Sequence, residues 1–187
     1  DLGSANVYGI EAEATWFVSD NWDLRGSITW QDTEYETFCD PGAVQDIGLD
    51  PTHTVVDDGV LFDCVTAVGN EFSRQPDLSY NLAATYRAPL GNTGWNWVAR
   101  LDWRSVGEQW VDDSNIMSFP ETQTLNASVN FRNQNWDFRI YGRNLTDDDT
   151  PRIIDLGTDY NQPGFPSNFN VLPRDPREFG VGLTYRF

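Results

Sequence analysis

The chain has 187 residues, a formal net charge of −17 and a mean hydropathy of −0.52. So acidic a chain is a poor partner for nucleic acid, because phosphate binding needs a basic surface. No run of about 18 apolar residues occurs, which excludes a transmembrane helix but not strands that cross a bilayer. The chain begins at Asp1 without Met or a signal segment, so we expect a processed product or a fragment.

Seven segments of about ten residues alternate apolar and polar side chains with period two, the pattern and length of a tilted strand that crosses a bilayer. We predict strands near residues 7–18, 22–32, 77–87, 95–105, 124–132, 136–145 and 177–187. The apolar positions, none of them charged, form what we call the apolar face, and the residues between them form the polar face. In chain order the apolar face comprises Ile10, Ala12, Ala14, Trp16, Val18, Trp22, Leu24, Gly26, Ile28, Trp30, Leu78, Tyr80, Leu82, Ala84, Tyr86, Trp95, Trp97, Ala99, Leu101, Trp103, Leu125, Ala127, Val129, Phe131, Trp136, Phe138, Ile140, Gly142, Phe179, Val181, Leu183, Tyr185 and Phe187.

The tryptophans favour a membrane barrel over a soluble sandwich, whose inner face would be equally apolar. Seven of the eight Trp residues lie on the apolar face, most of them near strand ends. Two aromatic girdles at the level of the lipid headgroups have this arrangement, whereas a sandwich core would place bulky aromatics in the middle of its strands. The sequence therefore predicts an all-β fold, an antiparallel transmembrane β-barrel.

The connections alternate between short and long. Short turns are expected at residues 19–21, 88–94 and 133–135, and long polar links at 32–75, 105–123 and 146–176. In outer-membrane barrels the short turns are periplasmic and the long loops are extracellular. We therefore expect Phe187 in the periplasm and Asp1 outside. Seven strands cannot close a bacterial barrel of even strand number, so we expect the remaining strands to come from residues outside this chain.

Two C-terminal motifs resemble the close of TonB-dependent outer-membrane receptors. Gly142-Arg-Asn-Leu-Thr-Asp147 precedes, by about thirty residues, the ending Arg177-Glu-Phe-Gly-Val-Gly-Leu-Thr-Tyr-Arg-Phe187. The opening Tyr8-Gly-Ile-Glu-Ala-Glu13, followed by Asn21-Trp-Asp-Leu-Arg-Gly-Ser27, resembles later barrel strands of that family. The resemblance covers essentially the whole chain as the last seven of 22 strands. The family's plug domain has no counterpart here.

The resemblance implies energy-coupled uptake of a scarce solute (a siderophore, oligosaccharide, peptide or metal complex) across the outer membrane of a Gram-negative bacterium. It implies as partners the rest of the barrel, the plug, the TonB complex and outer-membrane lipid and lipopolysaccharide. It also implies that the barrel-assembly machinery reads a terminal signal at Val181, Leu183, Tyr185 and Phe187, residues that equally form a lipid-facing strand. The alternatives are a passive porin-like barrel and a soluble carbohydrate-binding β-sandwich.

No catalytic arrangement is recognisable, and we predict that the chain is not an enzyme. His53 is the single histidine, which excludes most schemes based on His. The polar-face residues Arg100, Asp102, Arg139 and Arg143 are interpreted as ion pairs between neighbouring strands rather than as contacts to a plug.

Cys39 and Cys64 lie in the first long link, where an oxidising cell surface favours a disulfide. Metal ligation or two free thiols are the alternatives, but His53 alone and the absence of a CxxC spacing argue against a metal. No cofactor is expected. Calcium could bridge the acidic loops, although runs of acids are usually solvated and no EF-hand spacing occurs.

The second long link contains Trp110, the one Trp off the apolar face, beside Asp112 and Asp113. Trp110 could stack on a ligand ring or pack against its own loop. With His53, these three residues are the ligand-binding candidates. Because the long links offer mainly carboxylates, with Arg152 and Arg174 in the third, a neutral or cationic ligand is mildly favoured over an anionic one.

Overall fold

A computed structural model describes residues 3–45, 48–57, 59–158 and 167–187. Thirteen strands and one five-residue helix occur in these ranges. The elements are β1 (Gly3–Phe17), β2 (Trp22–Asp40), α1 (Pro41–Gln45), β3 (His53–Asp57), β4 (Val60–Thr66), β5 (Leu78–Pro89), β6 (Asn96–Val106), β7 (Gln109–Trp110), β8 (Ser118–Phe119), β9 (Thr122–Arg132), β10 (Trp136–Arg143), β11 (Ile153–Thr158), β12 (Ser167–Leu172) and β13 (Glu178–Tyr185).

Seven long strands form an antiparallel meander in the order β1-β2-β5-β6-β9-β10-β13, curled into a half-barrel. The all-β antiparallel barrel predicted from the sequence is confirmed. The turns after β1, β5 and β9 lie at one end of this sheet, here called the short-turn end. The longer connections lie at the opposite end, the long-loop end. None of the described helical residues forms a helix long and apolar enough to cross a membrane.

The register keeps the two faces apart across the whole sheet. A strand slipped by one residue would turn its apolar side chains to the polar face, because successive side chains point to opposite sides. From β1 to β9 no such slip occurs, apart from the bulge between Ser4 and Ala5 at the long-loop end. One row of cross-strand neighbours on the apolar face is Ala14, Gly26, Leu82, Trp103 and Leu125. The adjacent row on the polar face is Thr15, Arg25, Ala83, Asp102 and Asn126.

The apolar face is exposed and the sheet has no core of its own. Ile10 is 66% exposed, Leu82 50% and Val181 73%. The buried apolar residues of the described chain are few, and all lie in the connections at the long-loop end: Ala43, Cys64, Ala67, Val111 and Phe119. So large an exposed apolar surface marks contact with a membrane or a partner. Within the described ranges no second sheet packs on this face, which argues against the β-sandwich alternative.

Aromatic side chains form bands near both edges of the apolar face. At the short-turn end the ring centroids of Trp22 and Tyr86 are 4.9 Å apart, and those of Tyr86 and Trp97 are 5.0 Å apart. Further along the same edge, Trp136 and Tyr185 are 4.6 Å apart. At the long-loop end Trp30 is opposite Leu78 and Trp103 opposite Leu125. Amphipathic rings at two levels suit the two headgroup regions of a bilayer.

The strands differ most from the predicted bounds at the long-loop end. β1 begins at Gly3 and β2 continues to Asp40, eight residues past the predicted end at residue 32. These extensions pair with each other, with a bulge between Ser4 and Ala5. The long links also contain three antiparallel pairs of short strands, β3–β4, β7–β8 and β11–β12. Backbone pairing continues there because a ladder needs only main-chain hydrogen bonds, whatever the polarity of the side chains.

Candidate functional site

The polar face is held together by ion pairs on or between neighbouring strands. The buried carboxylate of Asp23 lies 2.5 Å from the guanidinium of Arg87 and 3.7 Å from that of Arg25. Arg100 donates to Asp102 at 2.8 Å, which two residues on one strand can do because both point to the same face. Both carboxylates, of Asp23 and of Asp102, therefore lie beside at least one guanidinium group.

Tyr141 organises a second polar cluster on β10. Its hydroxyl donates to Glu178 on β13 at 2.9 Å, and Glu178 lies 3.7 Å from Arg143. The guanidinium carbons of Arg139 and Arg143 lie 5.2 and 4.9 Å from the Tyr141 ring centroid, within the range of cation–π attraction. Of the four polar-face residues singled out from the sequence, Arg100 and Asp102 therefore pair within one strand, Arg143 pairs across strands and Arg139 contacts an aromatic ring.

A disulfide between Cys39 and Cys64 closes the long-loop end of β2. It joins the C-terminal end of β2 to β4, beside the backbone pairs Cys39–Thr66 and Asp40–Val65. His53 lies opposite Cys64 in the β3–β4 ladder, with its ring Nδ1 2.9 Å from the Thr52 hydroxyl. His53 therefore belongs to this hairpin, whereas the other three ligand-binding candidates lie in the second long link.

Trp110 is engaged within the protein. Its indole Nε1 donates to the Glu71 carboxylate at 2.7 Å, and its backbone carbonyl accepts from the amide of Arg74 at 2.8 Å. Asn115, at φ +55°, reinforces the same junction by accepting from the Glu71 amide at 2.7 Å and donating to the Glu71 carbonyl at 3.0 Å. These hydrogen bonds tie the second long link to residues 71–74 of the first, and a ligand-stacking role for Trp110 stays a prediction.

Asp112 and Asp113 also stabilise this junction. Asp112 accepts from the amide of Ser114 at 2.9 Å and so closes the turn. Asp113 accepts from the amide of Ser73 at 3.0 Å and from the Tyr35 hydroxyl. Burial, together with the nearby Asp113 carboxylate, raises the pKa of Tyr35 to about 12. The Asp113 carboxylate therefore ties the second link to β2 and to Ser73, whereas the Asp112 carboxylate stabilises the turn inside the second link.

The acidic residues of the long-loop end do not assemble into a metal site within the described ranges. Burial raises the pKa of Asp40, and the Asp113 and Asp112 carboxylates raise it further. No group of three or more His, Cys, Asp or Glu among the described residues is arranged to hold a metal ion. Calcium at the acidic loops stays a prediction, without a preassembled group of such side chains in this part of the chain.

Asn144, within the Gly142-Arg-Asn-Leu-Thr-Asp147 motif, has a structural role that the sequence did not predict. It is buried at φ +48°, a conformation that Asn tolerates better than most residues. Its side chain donates to the carbonyls of Asp148 and Asp175 at 2.9 and 3.1 Å and accepts from the Asp148 amide at 3.0 Å. Asn126 on β9 accepts its backbone N–H at 3.0 Å. The Asn-Leu-Thr-Asp stretch thus fastens both ends of the third long link to the sheet.

The Asp148 carboxylate continues this fastening. It accepts from the amides of Gln123 at 2.7 Å and Thr150 at 2.9 Å. Burial alone would raise the pKa of Asp148, but hydrogen bonds from Thr150 and Gln123 outweigh burial and lower it. Because the folded pKa is depressed, this contribution to stability is present above the carboxyl's ordinary range and is lost as the pH falls through its folded pKa.

Comparisons with known proteins place this architecture in a family. The family model described as "TonB dependent receptor-like, beta-barrel" matches residues 2–145. The ferric yersiniabactin uptake receptor FyuA from Yersinia pestis superposes with a TM-score of 0.71 at 16% identity, over 100% of this chain and 24% of that one.

Two further solved structures share the fold. The siderophore receptor PiuA from Acinetobacter baumannii gives a TM-score of 0.64 at 15% identity, over 98% of this chain and 22% of that one. The ferric-catecholate import receptor Fiu from K12 E. coli gives 0.59 at 19% identity, over 99% and 21%. The chain thus spans less than a quarter of the length of these proteins. Family members are transporters rather than enzymes. On the match over residues 2–145, the chain belongs to the TonB-dependent receptor-like β-barrel family.

Proposed function

We propose that this chain forms part of the barrel wall of a receptor that imports a scarce solute across the outer membrane with energy supplied through TonB. The family match over residues 2–145 carries this proposal. The exposed edges β1 and β13 support it, because unpaired strand edges are not tolerated in hydrocarbon and require further strands to close the wall. A siderophore, oligosaccharide, peptide or metal complex fits such a receptor.

In this proposal a plug fills the barrel that the chain helps to enclose, and the TonB complex acts on that plug. The charged polar face faces the plug and the solute path, and the apolar face contacts lipid and lipopolysaccharide. The short-turn end is periplasmic, and the long-loop end, with its disulfide, lies outside the cell. An epitope inserted at Gly59, in the β3–β4 turn, should be detected on intact cells, whereas detection only after permeabilisation would contradict this orientation.

The exposed apolar residues of the last strand suit recognition by the barrel-assembly machinery. Val181, Leu183 and Tyr185 alternate along β13 on the apolar face, and Phe187 follows two residues later. Their exposure equally suits contact with lipid. A plug-free porin is the runner-up function, because a porin would present the same alternating wall.

Conductance and uptake together distinguish the two functions. The complete receptor is reconstituted in planar bilayers in potassium chloride, and cells that carry it are tested for uptake of labelled ferric siderophores and oligosaccharides with and without TonB. We expect little steady conductance and an uptake that is lost when TonB is deleted. A large steady conductance, with uptake unaffected by the deletion, would establish the porin instead.

A further inference from the structure

Four arginines line one cavity at the long-loop end of the polar face. The cavity has a volume of about 310 Å³ and lies between the first residues of β9, the β7–β8 pair and the start of the third long link. Its charged lining residues are Arg74, Arg104, Arg152 and Arg174, and no carboxylate among the described residues lines it. In a chain with 29 acidic residues and 12 basic ones, all of them Arg, this is a local reversal of charge.

The fold brings these arginines together from four separate stretches of sequence. Arg104 projects from β6 on the polar face, opposite Thr124. Arg74 is placed by its backbone hydrogen bond to Trp110, and its guanidinium donates to the carbonyl of Ile154 at 3.4 Å. Arg174 is placed by donating to the carbonyl of Thr150 at 3.1 Å. The placements of Arg74 and Arg174 use contacts that also hold the loops together, and that of Arg104 follows from the register of β6.

Neighbouring carboxylates pair with two of these arginines. Arg174 lies 3.9 Å from Asp148, and Arg152 lies 3.8 Å from Asp175, whose side chain is almost fully exposed. Arg104 has neither a hydrogen bond nor an ion pair with any residue in the described part of the chain. Several guanidinium groups around one small cavity repel one another, and an anion bound between them removes this repulsion. A planar guanidinium can also donate two parallel hydrogen bonds to the oxygens of one carboxylate or phosphate group.

We propose that this cavity binds a polyanionic solute through at least two of its carboxylate or phosphate groups. This inference rests on the proposed function, for which it specifies the ligand class. It replaces the mild preference for a neutral or cationic ligand drawn from the composition of the long links. The composition describes their average charge, whereas a ligand meets the local charge of the cavity that it enters.

The position of the cavity selects a dissolved ligand over a lipid headgroup. Arg104 lies on the polar face, between Trp103 and Ser105 on the opposite face. An anion of the outer leaflet contacts the apolar face, whereas a solute inside the barrel contacts Arg104.

Further arginines lie along the polar face, beyond this cavity. Arg104 also lines a second cavity of about 410 Å³, together with Arg25 and Arg100. Arg100 in turn lines a third, of about 270 Å³, with Arg139 and Arg143. Carboxylates also line these two cavities, Glu13 and Asp102 in the second and Asp102 in the third, so among the described residues the lining without a carboxylate is confined to the first cavity.

The test is calorimetric titration of the complete receptor, purified in non-ionic detergent, with citrate, with inorganic pyrophosphate and with spermine as a cationic probe. We expect saturable binding of at least one anion, weakening with ionic strength, and none of spermine. Arg104→Gln should weaken anion binding roughly tenfold, and Arg104→Lys should weaken it less, because Lys keeps the charge but loses the paired hydrogen bonds of the guanidinium. Arg174→Gln should weaken binding similarly.

Arg186→Gln is the matched control, because it removes the same charge at the opposite end of the sheet, where Arg186 lies 4.0 Å from Asp137. Its anion affinity should equal that of the wild type. Absence of binding by both anions, preference for spermine, or equal affinity of wild type and Arg104→Gln would overturn the inference. Binding to the purified receptor does not need TonB, so intact binding with TonB-independent uptake would contradict the transport proposal alone.

Discussion

At the scale of single residues, the contact between Gly180 and Tyr141 shows how the last two strands are matched. Gly180 lies directly opposite Tyr141 in the β10–β13 ladder, and the Tyr141 ring covers the space that a Cβ at Gly180 would fill. The ring is held there by its hydrogen bond to Glu178. An aromatic ring over a cross-strand glycine shields the backbone and fixes the register of the pair.

Gly180→Ala should therefore displace the Tyr141 ring and destabilise the β10–β13 pair by about 1–3 kcal/mol, the usual range for overpacking. Gly182→Ala is the matched control on the same strand, because its Cβ would meet the Arg139 Cβ at an ordinary 3.9 Å. Amide hydrogen exchange of the complete receptor should accelerate in β10 and β13 for the first variant only. Equal exchange in the two variants would show that the ring is not held in place.

Trp110 and Asn144 show why single residues of the site were only partly predictable. The sequence marks Trp110 as exceptional because it leaves the apolar register, but its partner Glu71 is 39 residues away and no local pattern connects them. Asn144 has a recognisable signal, a polar residue after the end of an alternating strand, yet its hydrogen bonds reach Asp175, 31 residues on. Sequence patterns identify unusual residues more readily than the residues that they contact.

At the scale of elements, the seven long strands were predictable because alternation is a local property of ten consecutive residues. Their ends at the long-loop side were not. The extension of β2 to Asp40 depends on pairing with Gly3–Val7 and on the Cys39–Cys64 disulfide. The β3–β4 hairpin pairs with β2 at two residue pairs, Cys39–Thr66 and Asp40–Val65. The disulfide is therefore the cross-link that holds the hairpin against the end of β2.

Reduction of this disulfide should release the β3–β4 hairpin without opening the sheet. A closed loop of this length contributes about 3 kcal/mol in a chain-entropy estimate, equivalent to on the order of a hundredfold in amide protection. With dithiothreitol, exchange should accelerate in β3 and β4 and stay unchanged in β5 and β6. A Cys39→Ser/Cys64→Ser variant should show the fast pattern with or without reductant. Acceleration that spreads through β5 and β6 would contradict this division.

At the scale of the whole molecule, one sheet with two chemically different sides accounts for the composition. The exposed aromatics and aliphatics of the apolar face are balanced by a charged polar face, so the mean hydropathy stays low although the wall can contact lipid. The arginine cavity could not be predicted at this scale. Its arginines come from positions 74, 104, 152 and 174, and the net charge of the whole chain is negative and does not show where positive residues cluster.

The central claim is that the apolar face contacts lipid and the polar face does not. Ala83 and Ala84 test it most directly, because identical side chains lie on opposite faces of β5. Each is replaced by Cys in the complete receptor, which is reconstituted in bilayers; the two cysteines of this chain are joined in a disulfide and do not react with the label. A nitroxide is attached, and its collision rates with oxygen and with a polar nickel chelate are measured by electron paramagnetic resonance.

The label at residue 84 should collide mainly with oxygen, which concentrates in lipid. The label at residue 83 should be shielded from oxygen and, where space remains beside it, reached by the nickel chelate. Labels at Leu82 and Asn81 should repeat the alternation: the collision rate with oxygen should be high at residue 82 and low at residue 81. Equal oxygen accessibility at residues 83 and 84, or a nickel preference at both, would contradict the claim that this sheet is a transmembrane wall.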